Sequence, residues 1–233
     1  MMPDTAAGHA IVTGASSGIG AAIVARLLRE GWRVTGISRS NPGLAEPGYR
    51  HLGLDLLDTA ALPKALAAAL AGLNPTAFVH AAGLMRGGLL GTLDAEAGRV
   101  LWRLHVEAAA LLADHLVPQM PDGGRIVLIG SRTAAGAAGR SQYAATKAAL
   151  VAMARSWAIE LAPRRITANV VAPAATETPM LLDPARSAVA PKLPPIGRYI
   201  QPEEVAALTA FLLGPEAGAI TGQQMVICGG SSL

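Results

Sequence analysis

The chain predicts an α/β fold: one domain, a Rossmann-type doubly wound parallel sheet of about seven strands with helices on both faces. Three observations carry this. Short apolar runs alternate with amphipathic segments of helical period along the whole chain. Those runs end in Gly14, Arg39, Asp55, Ala82, Ser131 and Pro173, and open parallel sheets bind ligands outside the carboxyl ends of their strands. No change of composition divides the 233 residues, a length that suits one core. A single domain over residues 1–233 is therefore expected, with a Pro-rich lid at about 174–198.

The elements follow in order. Residues 10–13 form a strand that ends in 14-GASSGIG-20, and Ile23, Val24, Leu27 and Leu28 then share a helical face that Gly31 stops. Glycines let backbone approach a pyrophosphate, and a helix N-terminus offers free N–H groups to it. Gly14, Ser16, Ser17, Gly18, Ile19 and Gly20 are the expected cradle, spaced Gly-x-x-x-Gly-x-Gly. The second strand runs Val34–Ser38. An acid at its end would hold ribose hydroxyls and repel a 2′-phosphate. Ser38 and Arg39 stand there instead, which suits that phosphate because guanidinium binds phosphate in a bidentate way. The third strand, 51–55, ends in Asp55, placed either to accept from an adenine amino group or to cap the next helix, with Asp58 the better cap. That helix is expected over 60–73, with Leu62, Leu66 and Leu70 on one face.

A buried-type strand at 77–80 runs into Ala81, Ala82 and Gly83, small enough for a flat ring to lie against the backbone. One long helix is expected from Leu93 to Met120, turning Leu101, Leu104, His105, Ala108, Leu111, Leu112 and Leu116 inward. The strand 125–131 delivers Ser131, and the helix from Tyr143 to about Leu161 follows. The strand 166–172 ends at Pro173. A helix at 203–213 and a strand at 224–227 close the chain.

The chemistry centres on Ser131, Tyr143 and Lys147. Tyr143 and Lys147 stand at i and i+4, about one helical turn apart on the same face. A cation close to a phenol favours phenolate and brings its pKa down from about 10. A Tyr so tuned can pass a proton to or from a carbinol oxygen, while the Ser131 hydroxyl donates to that oxygen as charge develops.

Composition narrows the classes. Net charge is +3 and Arg164–Arg165 is the one adjacent basic pair, so no nucleic-acid partner is expected. Cys228 is the only cysteine, so no internal disulfide forms, in keeping with a reducing compartment. No apolar run reaches membrane-spanning length and the N-terminus has no signal pattern, so a cytoplasmic protein without a membrane partner is expected. No metal is expected.

Taken together, 13-TGASSGIG-20, Asp55, 80-HAAG-83, Ser131, 143-YAATK-147, 169-NVVAP-173 and 221-TGQQMVICGG-230 resemble the short-chain dehydrogenase/reductase family, of the NADP-preferring type. The resemblance implies that Tyr143 is general acid in reduction and base in oxidation. It implies that Lys147 also binds nicotinamide ribose, and that Ser131 orients the substrate oxygen. By the same resemblance Leu56, Ala81, Ala82, Gly83, Pro173, Thr176 and Thr178 join the cofactor site. A homodimer or homotetramer through the long helices and the C-terminal region is implied too.

The sequence also departs from the family's pattern. His105 stands where the family usually has an Asn that holds a relay water, so His105 is expected either to pack or to take over that relay, adding a titration near pH 6.5. His80–Ala81 replaces a usual Asn–Asn, and Ala174 a usual Gly. The interval from Ser131 to Tyr143 is one residue short, and Arg132 and Arg140 in it face either solvent or an anionic substrate. The expected activity is NADP(H)-dependent interconversion of a ketone or 3-oxoacyl group and a secondary alcohol, with NAD(H) less favoured. An NAD-dependent alcohol or sugar dehydrogenase and a non-catalytic NADP(H) sensor are the alternatives.

Overall fold

A computed structural model of the protein describes residues 8–183 and 191–233. Seven strands, β1 (His9–Thr13), β2 (Arg33–Ser38), β3 (Tyr49–Gly53), β4 (Ala77–His80), β5 (Arg125–Ile129), β6 (Thr167–Pro173) and β7 (Gln224–Ile227), form one sheet. Its order is β3-β2-β1-β4-β5-β6-β7 and every pair is parallel. Successive strands step outward from β1 in one direction and then, from β4, in the other. The chain therefore opens a crevice between the carboxyl ends of β1 and β4, where the loops leaving them diverge.

Among the described residues six α-helices cover the sheet: α1 (Gly18–Arg29), α2 (Leu62–Ala69), α3 (Ala95–Trp102), α4 (Ala108–Leu116), α5 (Ser141–Leu161) and α6 (Pro202–Leu213). Ile23, Val24 and Leu27 of α1 pack with Val205, Ala206 and Leu212 of α6 on one face. Leu62 and Leu66 of α2, Leu112 and Leu116 of α4, and Leu150, Ala154 and Ala158 of α5 cover the other. The buried positions of α5 are mostly Ala, Thr and Leu. Small side chains let that helix lie close to the sheet, so its first turns reach the strand ends at a fixed height.

Two elements, β3 and α2, differ from their expected bounds. β3 begins at Tyr49 and ends at Gly53, so Asp55 lies in the turn beyond it, where its Oδ1 accepts from the Leu57 N–H at 3.0 Å. Asp58 caps the following turn, its Oδ1 accepting from the Ala61 N–H at 3.2 Å. α2 is shorter than the apolar pattern suggested: Pro63 fixes the start of the helix, and Gly72 turns the chain at φ +73° soon after its end.

The larger correction concerns the long helix. It is not continuous α-helix from 93 to 120; a π-helical turn over Arg103–Glu107 separates α3 from α4. The Ala108 N–H bonds the Arg103 carbonyl rather than that of Leu104, so the Leu104 carbonyl is left for another donor. His80 Nε2 fills it at 3.1 Å. Of the lid expected at 174–198, the described parts are Ala174–Asp183, which holds a short 3₁₀ turn at Pro179–Leu182, and residues 191–198. Of the segment's apolar residues Met180, Leu181, Leu182, Val189 and Leu193, Val189 lies outside the described residues.

Candidate active site

A cavity of 530 Å³ runs along the carboxyl ends of β1, β4, β5 and β6. Its floor at one end is the glycine turn after β1. Gly14 turns at φ +67°, and a Cβ there would lie 2.9 Å from the Ala82 backbone. A Cβ on Gly20 would lie 2.1 Å from the Gly14 carbonyl oxygen, so only glycine lets α1 start this close beneath the turn. Ser17 precedes α1 in extended conformation and its side chain makes no cap, so the first N–H groups of the helix point toward the cavity without an Oγ acceptor. This is the shape and polarity a pyrophosphate requires. Thr178 stands across from Gly18, its Cγ2 3.2 Å from where a Gly18 Cβ would be.

The expected residues fall into two groups. Gly14, Ser17, Gly18, Ile19, Gly20, Ala81, Gly83, His105, Ser131, Tyr143, Lys147, Pro173, Thr176 and Thr178 all line the cavity. Ser16, Ser38, Arg39, Asp55, Leu56 and Ala82 do not. Leu56 and Ala82 are buried in the core, and the Ala82 N–H donates to Thr13 Oγ1 at 3.0 Å. Ser38 and Arg39 stand at the carboxyl end of β2, Ser38 buried and Arg39 exposed. Among the described residues Arg39 makes no hydrogen bond or ion pair, so its guanidinium is available to a ligand at that strand end.

Ser131 lies just past β5, where it caps a 3₁₀ turn over Arg132–Ala135. Its Oγ accepts from the Thr133 N–H at 3.2 Å and lies 2.8 Å from Thr133 Oγ1. Thr133, buried and on the cavity wall, thus fixes the Ser131 rotamer. Its only sequence signal was its place two residues after the serine. Tyr143 sits in the first turn of α5, 8 % exposed, its ring packed against Met85 and Leu101 with Leu84 and Met180 alongside. Lys147, one turn on, is 4 % exposed. Its Nζ donates to the Ile129 carbonyl at 2.8 Å and lies 5.8 Å from the centre of the Tyr143 ring. Burial pulls the Lys147 ammonium down to about 7.

His105 belongs to the π turn and is fully buried. The Thr146 hydroxyl donates back to the Tyr143 carbonyl at 2.8 Å. His105 Nδ1, 2.9 Å from Thr146 Oγ1, must therefore carry the hydrogen of that pair. His105 Nε2 is left to accept the Leu84 N–H at 3.1 Å. Both ring nitrogens are engaged, and the ring meets Tyr143 edge-on with centroids 5.6 Å apart. Burial first, and then the charge of Lys147, hold its pKa well below the ordinary histidine value. The expected titration near pH 6.5 is thus corrected: this imidazole stays neutral, because protonating it would put an N–H against the Leu84 N–H.

His80, where the family usually has Asn, joins β4 to β1 through Thr13. Thr13 Oγ1 accepts from the N–H groups of Ala81 and Ala82, both at 3.0 Å, so its own hydrogen goes to His80 Nδ1 at 3.1 Å. That leaves Nε2–H to donate to Leu104, and burial lowers the His80 pKa to about 3. Beyond the polar centre, Arg132, Arg140, Lys147 and Lys192 line the cavity, and no Asp or Glu does among the described residues. Arg86, from the loop after β4, pairs with Asp183, in the segment expected as a lid, at 3.3 Å.

A parallel sheet with a phosphate-type turn after β1 and a Ser–Tyr–Lys cluster at the ends of β5 and α5 defines a nicotinamide-dependent oxidoreductase class. Comparison with known proteins makes the assignment specific. The family described as "Enoyl-(Acyl carrier protein) reductase" matches residues 14–232. The 3-oxoacyl-[acyl-carrier-protein] reductase of Vibrio cholerae is 34 % identical over 235 residues, covering 95 % of this chain and 96 % of that one. A putative ketoacyl reductase of Streptomyces coelicolor is 33 % identical, covering 95 % of each. Among solved structures, a blue fluorescent protein from a metagenomic library in complex with NADPH superposes with a TM-score of 0.85 at 32 % identity, covering 97 % of this chain and 98 % of that one. A Burkholderia cenocepacia short chain dehydrogenase in complex with NADP gives 0.83 at 32 %, covering 96 % and 97 %. The chain belongs to the short-chain dehydrogenase/reductase family and is an oxidoreductase.

Proposed function

We propose that the protein is an NADP(H)-dependent reductase that interconverts a ketone or 3-oxoacyl group and a secondary alcohol. The observation that carries the reading is the meeting of Ser131, Tyr143 and Lys147 on one cavity wall continuous with the glycine turn. The bound nicotinamide supplies the hydride. The glycine turn and the start of α1 hold the pyrophosphate. Arg39 and Ser38 take the 2′-phosphate at the end of β2. Ser131, its rotamer set by Thr133, donates to the substrate oxygen. Tyr143 gives that oxygen its proton in reduction and removes it in oxidation. Lys147 supports the phenolate from within the protein, where screening by water is weak.

Leu84, Met85 and Met180, which line the cavity beside Tyr143, suit an acyl or alkyl chain. The named 3-oxoacyl and ketoacyl reductases among the relatives support the same substrate class. A homodimer or homotetramer fits the apolar side chains left exposed on the helices and last strand, Trp102, Ile159, Phe211 and Val226. Among the described residues no helix is long and apolar enough to cross a membrane.

The test is Tyr143→Phe assayed for NADPH oxidation with 3-oxoacyl thioesters and apolar ketones. Turnover should fall by about 10²–10⁴-fold, the usual contribution of a positioned acid, while NADPH binding followed by fluorescence stays within about twofold. Retained turnover would remove Tyr143 from the mechanism.

A further inference from the structure

The proposed 2′-phosphate site contains a residue that the sequence did not single out. His51 lies on β3, which pairs with β2 so that Gly36 faces His51 and Ser38 faces Gly53. From there the imidazole reaches along the strand to the end of β2. Its Nε2 lies 3.1 Å from the Ser38 carbonyl oxygen and 3.1 Å from Ser38 Oγ. A carbonyl only accepts, so Nε2 carries the hydrogen and shares it between these two oxygens. The Ser38 hydroxyl in turn donates to the Ser40 carbonyl at 2.9 Å. Ser38 is 7 % exposed, and Arg39 beside it is exposed.

The direction of these bonds has a consequence. Ser38 Oγ accepts from the imidazole and has its one hydrogen to give. Without a ligand that hydrogen closes a local turn onto Ser40. A phosphate at the end of β2 is the stronger acceptor, and a rotation about one bond redirects the hydroxyl to it. A hydroxyl that already accepts a hydrogen bond is polarised into a better donor. The same imidazole hydrogen pins the Ser38 carbonyl, so the segment carrying Arg39 keeps its place as the hydroxyl turns. We propose that His51 is a specificity-determining positioning residue for the 2′-phosphorylated cofactor, acting through Ser38. This rests on the NADP(H) reading given above.

The inference predicts a split between two cofactors that differ only in the 2′-phosphate. Dissociation constants for NADPH and NADH are measured by fluorescence titration for wild type, His51→Leu, His51→Gln, Ser38→Ala and the His51→Leu/Ser38→Ala double variant. His51→Leu should weaken NADPH about five- to tenfold, the scale of one neutral hydrogen bond, and leave NADH within about twofold. His51→Gln, which keeps a donor, should recover part of the loss. The double variant should bind NADPH no worse than the weaker of the two single variants, because the residues act in series.

Equal losses for both cofactors would show that His51 merely supports the strand, and would overturn the inference. So would single losses that multiply in the double variant. A wild-type preference for NADPH that survives His51→Leu unchanged would overturn this inference alone. A wild type that binds NADH as tightly as NADPH would remove the NADP(H) reading and, with it, the role of His51.

Discussion

His105 shows how local bonding decides what a residue can do. An imidazole in this position invites a proton-relay role, since histidine ordinarily titrates near neutrality. The Leu84 N–H and the Thr146 hydroxyl instead consume both nitrogens. His105→Asn should therefore leave the shape of the pH–rate profile between pH 5 and 8 unchanged. Stability should fall by about 1 kcal/mol, since the shorter amide keeps one of the two links. A limb of the profile that disappears with the imidazole would restore the relay. Tyr49 offers the opposite case. Its hydroxyl is buried against Gly36 and Ala15 and has no hydrogen-bond partner among the described residues. Tyr49→Phe should then raise the unfolding free energy by about 1 kcal/mol, read from urea denaturation; a loss of stability would mean the hydroxyl has a partner when the protein is in solution. At this scale the sequence made Ser131, Tyr143 and Lys147 legible, because their chemistry depends on residue type and spacing. Thr133, Thr146 and His51 were not legible, since a Thr or His that serves by orienting a neighbour has no spacing of its own.

At the scale of elements, the seven strands and the helices α1, α2, α5 and α6 were readable from period and punctuation, whereas α3 and α4 read as one helix and the π turn between them did not show. Leu101, His105, Ala108, Leu112 and Leu116 are buried and Leu104 and Leu111 partly so, a pattern that reads as one uninterrupted amphipathic helix. One extra residue shifts the apolar stripe by about 100°, no more than the width of the stripe itself, so spacings of three and four still read as one helix. What reveals it is a carbonyl that must find a donor elsewhere, and the donor comes from β4, distant in sequence. The offset of β3 has a similar cause: its pairing with β2 was fixed by the partner strand, whereas its own residues are only half-buried and set the register weakly. His80→Leu tests the strand-to-helix link. It leaves the Leu104 carbonyl without its side-chain donor and the Thr13 hydroxyl without its acceptor, and should cost about 2–4 kcal/mol by denaturant unfolding. A cost below 1 kcal/mol would show that the helix re-forms its bonds without His80.

For the whole molecule, two neutral buried histidines beside a buried lysine set the response to acid. The folded pKa of His80 is depressed to about 3 and that of His105 is also lowered, against an ordinary 6.5 in the unfolded chain. The stability they contribute is complete above pH 6.5. It is lost as pH falls from there toward 3, because the unfolded chain takes up protons that the folded one refuses. His80 should add a slope of about 1.4 kcal/mol per pH unit in that window, and His105 acts in the same direction. Urea midpoints measured from pH 7 down to pH 4 should fall steeply, and less steeply in His80→Asn; parallel curves would mean that His80 is protonated in the folded protein. The site was legible at this scale because a doubly wound sheet gathers its strand ends on one rim.

The π turn also fixes what length changes the chain tolerates. Each residue of an α-helix advances about 100° around the axis, so the stretch before Arg103 and the stretch after Glu107 run out of phase by one such step. Trimming one residue there would make a straighter, better-bonded rod. It would also rotate Leu112 and Leu116 off the sheet and carry the imidazole away from Leu84, so the irregular turn is what lets one rod serve two differently oriented surfaces.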